Sequence, residues 1–327
     1  MTTDFQSSEK LMLHNGLSEA NAALVAMLAW LRQQSYAFIT VSPASHALVN
    51  GRPGNETAKD IHGVLGWSRP FAPDVVGEPL FALLEQAHAL EHVGSLWRSR
   101  FRVSSLAGQL FLHSSFPTVE GDAIFFGPDT YRFAQGIERH LALLRPRVRR
   151  AVDIGSGSGA GAILLAQRLP QAEVHGVDIN DKALALAAVN GIAAGLSNLH
   201  WRHSDLLQAL DGEFDLIVSN PPFLVDAAER AYRHGGGPLG AGLSLKIVDT
   251  ALDRLAPYGT LLLYTGVAVM DGQDLFKKEV DARLKDSGWH YEYQEMDPDI
   301  FGEELDSPVY SNADRLAAVT LMVQRPG

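Results

Sequence analysis

The sequence predicts an α/β fold, a Rossmann-like, seven-stranded doubly wound sheet preceded by a smaller α+β domain. Three observations carry this. From residue 151 onward, short apolar runs alternate with helical stretches, the pattern of strands joined by crossover helices on both faces of one sheet. The stretch Ala151 to Ala166, AVDIGSGSGAGAILLA, joins a strand to a helix through the alternating glycines Gly155, Gly157 and Gly159. The first 125 residues lack that alternation and read as helices followed by period-two strands.

In chain order, Leu17 to Gln34 has Leu17, Leu24, Met27, Leu28 and Leu31 at helical spacing. Gly51-Arg-Pro-Gly-Asn55 is a break, and Pro79 to Ala89 a second helix. From Trp97 the period becomes two, through Phe101 and Val103, Leu110 and Leu112, then Ala123, Phe125 and Phe126. These read as two or three antiparallel strands, turning at Ala107-Gly108 and Glu120-Gly121-Asp122. A helix from about Tyr131 to Leu144 follows, with Asp129 and Thr130 suited to its cap, then the basic linker Arg145–Arg150. Beyond it the predicted order is strand 150–155, helix 160–169, strand 173–179, helix 181–195, strand 199–204, a short helix near 206–210 and strand 214–219. A helix at 242–256, a strand at 259–266, a helix at 271–288 and strands at 290–295 and 316–324 complete it. The expected domains are 1–125 for substrate recognition, 126–150 as linker and helix lining the cofactor site, and 151–327 as the Rossmann-like domain.

Composition narrows the classes. The chain has no cysteine, which excludes disulfides and Cys-ligated zinc, and its histidine pairs lack an accompanying acid motif, so no metal is expected. The polar N-terminus MTTDFQSSEK is unlike a signal peptide and the apolar run Ala22–Leu31 is too short for a bilayer, so a cytoplasmic protein without membrane attachment is expected. The net charge of −11 is unevenly placed: residues 1–150 hold 14 Lys and Arg against 13 Asp and Glu, residues 151–327 hold 13 against 25. An acidic second half disfavours broad nucleic-acid binding through phosphates. Arg98, Arg100 and Arg102 alternate, which on one strand would form a positive stripe.

The glycines bring backbone amides and a helix N-terminus toward a nucleotide-like ligand, but Gly155-x-Gly157-x-x-Ala160 also satisfies the loose dinucleotide pattern. Three features favour another cofactor. Asp153, two residues before the first glycine, suits a ligand with an ammonium group and gains nothing from a pyrophosphate. Asp178 ends the run Glu173-Val-His-Gly-Val-Asp178, where an acid can accept both ribose hydroxyls. Then Phe214-Asp-Leu-Ile-Val-Ser-Asn220-Pro221-Pro222-Phe223 runs a strand into a tetrapeptide that a nicotinamide enzyme has no use for. Over about residues 125–325 the chain resembles the class I S-adenosylmethionine-dependent methyltransferases. Within them it is similar to the small-domain branch, which includes release-factor glutamine, rRNA guanine-N2 and N6-adenine methyltransferases.

The resemblance implies S-adenosyl-L-methionine as cofactor. Gly155, Ser156, Gly157 and Gly159 would pass beneath its ribose and methionine part, with Asp153 beside them. Asp178 would hold the hydroxyls, with Ile179 next to it, and Asp205 and the Leu206 amide would meet the adenine. Asp129 and Thr130, in Gly127-Pro128-Asp129-Thr130, would line the methionine end. Asn220, also counted among the cofactor contacts, would act with Pro221, Pro222 and Phe223 as the catalytic group: carbonyls of Asn220 and Pro221 accept from an acceptor –NH2, and Phe223 stacks on its plane. Tyr232 to Gly240, rich in glycine, reads as a mobile lip. The expected activity is N-methylation of a planar amide or amine nitrogen of a macromolecule, a protein glutamine ahead of an rRNA, tRNA or DNA base. The alternative of another class is a cofactor-binding scaffold without turnover.

Overall fold

The computed structural model describes residues 17–143 and 148–327, so the N-terminal decapeptide and Arg145–Arg147 of the basic linker lie outside the described residues. Two compact units result. Among the described residues, the first takes in 17–118, 126–128 and 188–195, and the second 119–125, 129–143, 148–187 and 196–327.

In the first unit, helix α1 (Glu19–Gln33) starts at Ser18, whose Oγ accepts from the Asn21 amide at 3.2 Å. It buries Leu24, Met27, Leu28 and Leu31, the apolar face its spacing predicts. Helices α2 (Pro43–Asn50), α3 (Ile61–Leu65) and α4 (Glu78–Gln86) follow. Then come two hairpins, β1 (Leu90–Val93) with β2 (Leu96–Ser99), and β3 (Phe101–Leu106) with β4 (Gln109–Ser114). The second hairpin turns at Ala107-Gly108, both at positive φ, as expected. Ala123–Phe126 forms no strand, contrary to expectation: the run meets Gly127 and then Pro128, which opens the next helix, before a ladder can form.

The arginine stripe also fails. The chain bends at Arg100 between β2 and β3, with Ser99 Oγ donating to the Phe101 carbonyl at 2.8 Å. One residue out of register reverses which face the next side chains take. Arg98 pairs with Glu91 at 2.7 Å, while Arg102 is only 2% exposed and donates to the Ser114 carbonyl.

Two histidines share that buried region. His46 faces the Arg102 guanidinium through Nδ1 at 3.5 Å; because arginine only donates, Nδ1 accepts and Nε2–H donates to the Trp67 carbonyl at 2.9 Å. His113 meets Ser104 Oγ at 2.7 Å through Nε2. Burial, reinforced by the Arg102 charge, lowers His46 to about 4 and His113 well below its ordinary value. Folded values below the unfolded one leave stability intact above about 6.5 and remove it as pH falls toward 4. Hydrogen exchange of the β3 and β4 amides, corrected for intrinsic rates, should therefore accelerate between pH 6.5 and 4.5; protection independent of pH would contradict this.

The second unit holds 119–125 and α5 (Pro128–Leu143) from Asp129 on, then alternates strands and helices: β5 (Arg150–Ile154), α6 (Ala160–Arg168), β6 (Glu173–Asp178), α7 (Asp181–Ala193, of which the residues from 188 belong to the first unit), β7 (Leu199–His203) and β8 (Phe214–Ser219). After them come α8 (Gly242–Arg254), β9 (Leu255–Met270), the two-residue β10 (Gln273–Asp274), α9 (Leu275–Leu284), β11 (His290–Asp297) and β12 (Arg315–Gln324). The sheet order is β11-β12-β9-β8-β5-β6-β7, with β10 paired to β9. Strands β7, β6, β5, β8 and β9 are mutually parallel, and β12 runs antiparallel to both its neighbours. The expected seven-stranded, doubly wound architecture is thus present, its core built of residues such as Val152, Ile217, Leu261 and Val319.

Several elements differ from expectation; the helix expected at 271–288 covers only Leu275–Leu284, after the short strand β10. Residues 206–210 form a turn and not a helix, since Leu206 sits at φ 51°. Strand β9 starts at Leu255, carrying its irregularity between the Leu255 and Thr260 pairings, and extends to Met270 because β12 and β10 continue to pair with it. Among the described residues no helix is long and apolar enough to cross a membrane, and no group of three or more His, Asp or Glu side chains could hold a metal ion.

Candidate active site

The parallel strands β8, β5, β6 and β7 end side by side, with Ser219 level with Ile154, Ile154 with Val177, and Asp178 with His203. Ligands in open α/β sheets bind beyond those ends. The glycine loop leaves β5 there. Its first amides, Gly155 and Ser156, both donate to the Val177 carbonyl, at 2.9 and 3.0 Å, which folds the loop over the end of β6. Ser156 Oγ donates to the Asp153 carbonyl at 2.9 Å. Gly155 and Gly157 lie at φ +72° and +53°, and a Cβ on either would meet nothing within 4 Å, so bare backbone faces open space. Gly159 is glycine for a further reason: a Cβ there would stand 2.7 Å from the Trp201 ring.

Asp178 lies against this loop. One carboxylate oxygen accepts from the Gly157 amide and the other from Asn180, each at 2.9 Å. Burial raises its pKa, opposed by those amides. Asp153 is 1% exposed and accepts from the Ala162 amide in the first turn of α6 at 2.9 Å. Burial, opposed by the Ala162 bond and reinforced by the Asp178 charge, pushes it up to about 8. Between the ordinary carboxylate value and 8 the folded protein keeps a proton that the unfolded chain releases, so stability falls as pH rises through that window. Asp153→Asn, which has no proton to lose, should melt close to the parent near pH 4 and progressively higher than it as pH rises to 8.5. A difference between the two that does not change with pH would argue against it.

The other predicted residues are placed less uniformly. Ile179 is 57% exposed at the rim beside Asp178. Asp205 is exposed, and Ser204, not Asp205, caps the following turn by accepting from the Ala209 amide at 3.0 Å. Leu206 is half-buried. Asp129 and Thr130 are buried in the first turn of α5, and Asp129 accepts from the Tyr264 hydroxyl at 2.6 Å and from Arg132 at 3.3 Å. Arg132 also bonds Asp297 at 2.7 Å. Asp129 is therefore tied into a network on β9 and β11, with burial raising its pKa against the pull of Tyr264 and Arg132.

Asn220 emerges half-buried just past β8, and Ser219 Oγ donates to the Ile154 carbonyl at 2.7 Å, locking the start of the tetrapeptide to the start of the glycine loop. Pro221 is buried and Pro222 half-buried. Phe223 is only 9% exposed and lies against the bare backbone of Gly266, where a Cβ would collide with its ring, while Phe301 packs at 6.1 Å. A ring held in this way serves first as scaffold.

The segment 224–242 corrects the expectation of a loose lip. Leu224 pairs with Arg233 and Gly235, Gly242 with Gly236, and Leu243 with Gly235, all through the backbone. Asp226 accepts from Arg230, and Arg233 pairs with Glu304. A Cβ on Gly235 would overlap the Gly240 carbonyl and stand 2.7 Å from that of Pro222. These glycines permit close backbone packing.

Sequence reading missed Ser219, Tyr264, Trp201, Gly266 and Tyr310. Only Tyr264-Thr-Gly266 carried a local signal, as polar and small residues closing the run Leu261-Leu-Leu.

Sheet order and loop define the Rossmann-like fold of the methyltransferases. Residues 135–269, from within α5 to near the end of β9, match the family model of the "Methyltransferase small domain". A release factor glutamine methyltransferase of Deinococcus radiodurans is 35% identical over 178 residues, covering 50% of this chain and 60% of its own. A ribosomal protein uL3 glutamine methyltransferase of Neisseria gonorrhoeae is 36% identical over 130 residues, covering 36% and 44%. The chain thus spans about half the length of the curated relatives it matches. The crystal structure of a ribosomal protein L11 methylase from Lactobacillus delbrueckii subsp. bulgaricus overlaps 62% of this chain and 81% of its own, with 22% identity and a TM-score of 0.41.

Proposed function

We propose that this chain is an S-adenosyl-L-methionine-dependent N-methyltransferase of the cytoplasm whose acceptor is a side-chain amide of a macromolecule, a protein glutamine. The observation that carries the reading is Asn220-Pro221-Pro222-Phe223 at the end of β8, joined through Ser219 to the strand from which the glycine loop departs. The glutamine methyltransferases among the relatives, one named for release factors and one for ribosomal protein uL3, support the choice of acceptor.

The residues fit such a cofactor, because the open side of Gly155 and Gly157 is bare backbone and two carboxylates lie at the adjoining strand ends. When bound, the cofactor supplies a methyl group on a sulfonium. Asp178 would hold the ribose hydroxyls, the loop amides and Ser156 the part beneath, and Asp153 would face the ammonium end, whose positive charge would favour release of the Asp153 proton on binding. Ile179, Asp205 and Leu206 would border the adenine, while Asp129 and Thr130 would stand at the methionine end. Asn220 Oδ1 and the Pro221 carbonyl would accept the two hydrogens of the acceptor amide. That aims its nitrogen lone pair and stabilises positive charge developing on it. Both prolines fix their φ, so the two carbonyls are aligned before the acceptor arrives. No strong base is required, since the proton can leave to water afterwards.

Calorimetry should show binding of S-adenosyl-L-methionine and not of NAD. Labelled cofactor should then methylate an extract of cells lacking this protein, with the label released by protease. Release by nuclease would make the acceptor a nucleic-acid base, and bound cofactor without any transfer would leave a scaffold.

A further inference from the structure

The loop that follows the tetrapeptide is held by a residue far away in the chain. Tyr310 lies between β11 and β12, in a segment without regular ladder pairing, yet it is 1% exposed. Its hydroxyl accepts from the Val225 amide at 2.9 Å, two residues beyond Phe223. The same hydroxyl donates to the Leu239 carbonyl at 3.4 Å, at the other end of the loop. One phenol oxygen thus joins both ends of residues 225–239. Burial raises its pKa, so the proton needed for the second bond is retained.

Other ties run the same way. Arg233 reaches Glu304 in the Tyr310 segment, and Phe301 of that segment packs against Phe223. Within the loop, Asp226 receives Arg230, and its own amide donates to His234 Nδ1 at 3.2 Å. The loop body is therefore bonded within itself, and Tyr310 is the side chain that ties both of its ends to the segment between β11 and β12.

We infer that Tyr310 is a positioning residue for the methyl acceptor: by pinning Val225 and Leu239 it fixes the loop that adjoins the Asn220 tetrapeptide, and so sets acceptor binding without touching the cofactor. This rests on the proposed methyltransferase reading. Without the hydroxyl, the Val225 amide and the Leu239 carbonyl lose their shared partner, which loosens both ends of the loop beside the tetrapeptide. The cofactor side is secured separately by Asp178, Ser156 and Val177.

The test is Tyr310→Phe in the full chain, which keeps the ring and its packing. Three readouts are compared with the parent: S-adenosylhomocysteine affinity by calorimetry, labelled methyl transfer to purified ribosomal protein uL3 and release factor, and hydrogen exchange at Val225, Gly235 and Leu243. The expected result is an unchanged Kd for S-adenosylhomocysteine, a KM for the protein acceptor raised about tenfold with kcat nearly constant, and exchange at the three amides faster by a similar factor. An unchanged acceptor KM, or a parallel loss of cofactor affinity, overturns the inference. If the parent itself methylates neither protein, it is the choice of acceptor that fails. The exchange rates then decide the role of Tyr310 alone, and rates equal to the parent's overturn it.

Discussion

Replacing Asn220 with alanine is expected to lower kcat by about two to three orders of magnitude, as for other aligned polar groups at a reacting centre. Cofactor affinity should hardly change, because the contacts that shape the glycine loop come from Val177, Asp178 and Ser156. The backbone should persist in the variant: Ser219 still bonds the Ile154 carbonyl, and Pro221 and Pro222 still fix their φ. What disappears is one of the two acceptors that orient the amide, leaving the Pro221 carbonyl alone. Single-turnover rates at saturating cofactor measure this directly. An S-adenosylhomocysteine Kd that worsens in step with kcat would make Asn220 a structural residue and move the chemistry elsewhere.

How legible the site is in the sequence depends on how local its requirements are. Gly155, Gly157, Asp153 and Asp178 could be read because a strand, a tight turn and a helix must follow one another within a few residues. The contacts that brace them are not local. Tyr264 and Asp129 are 135 residues apart, Tyr310 and Val225 are 85 apart, and each meets its partner only once the sheet is assembled. Trp201 packs on Gly159 and Gly176 because β7 lies beside β6, which strand order alone determines. The failures have the same origin. A single bend at Arg100 undid the arginine stripe, and one positive φ at Leu206 undid a helix. Gly235 and Gly240 looked like freedom in composition, whereas their neighbours show that they allow backbones to touch.

Asp178→Ala should show the complementary pattern, losing cofactor and sparing chemistry. In the folded chain this carboxylate already serves two donors, the Gly157 and Asn180 amides. It therefore shapes the loop and also stands where ribose hydroxyls would bond. Removing it leaves the Gly157 amide without its partner and the hydroxyls without an acceptor, which together should weaken S-adenosyl-L-methionine binding by roughly 1–3 kcal/mol. Asp178→Asn offers no rescue, since its amide nitrogen would face one of the two N–H donors that the carboxylate accepts. Both variants should recover most of the parental kcat once cofactor is saturating, because neither touches Asn220 or Pro221. Titration calorimetry with S-adenosylhomocysteine separates the outcomes. An affinity equal to the parent's in Asp178→Ala removes Asp178 from the cofactor site, and a kcat that stays low at saturation means that the loop it shapes also aligns the reacting groups.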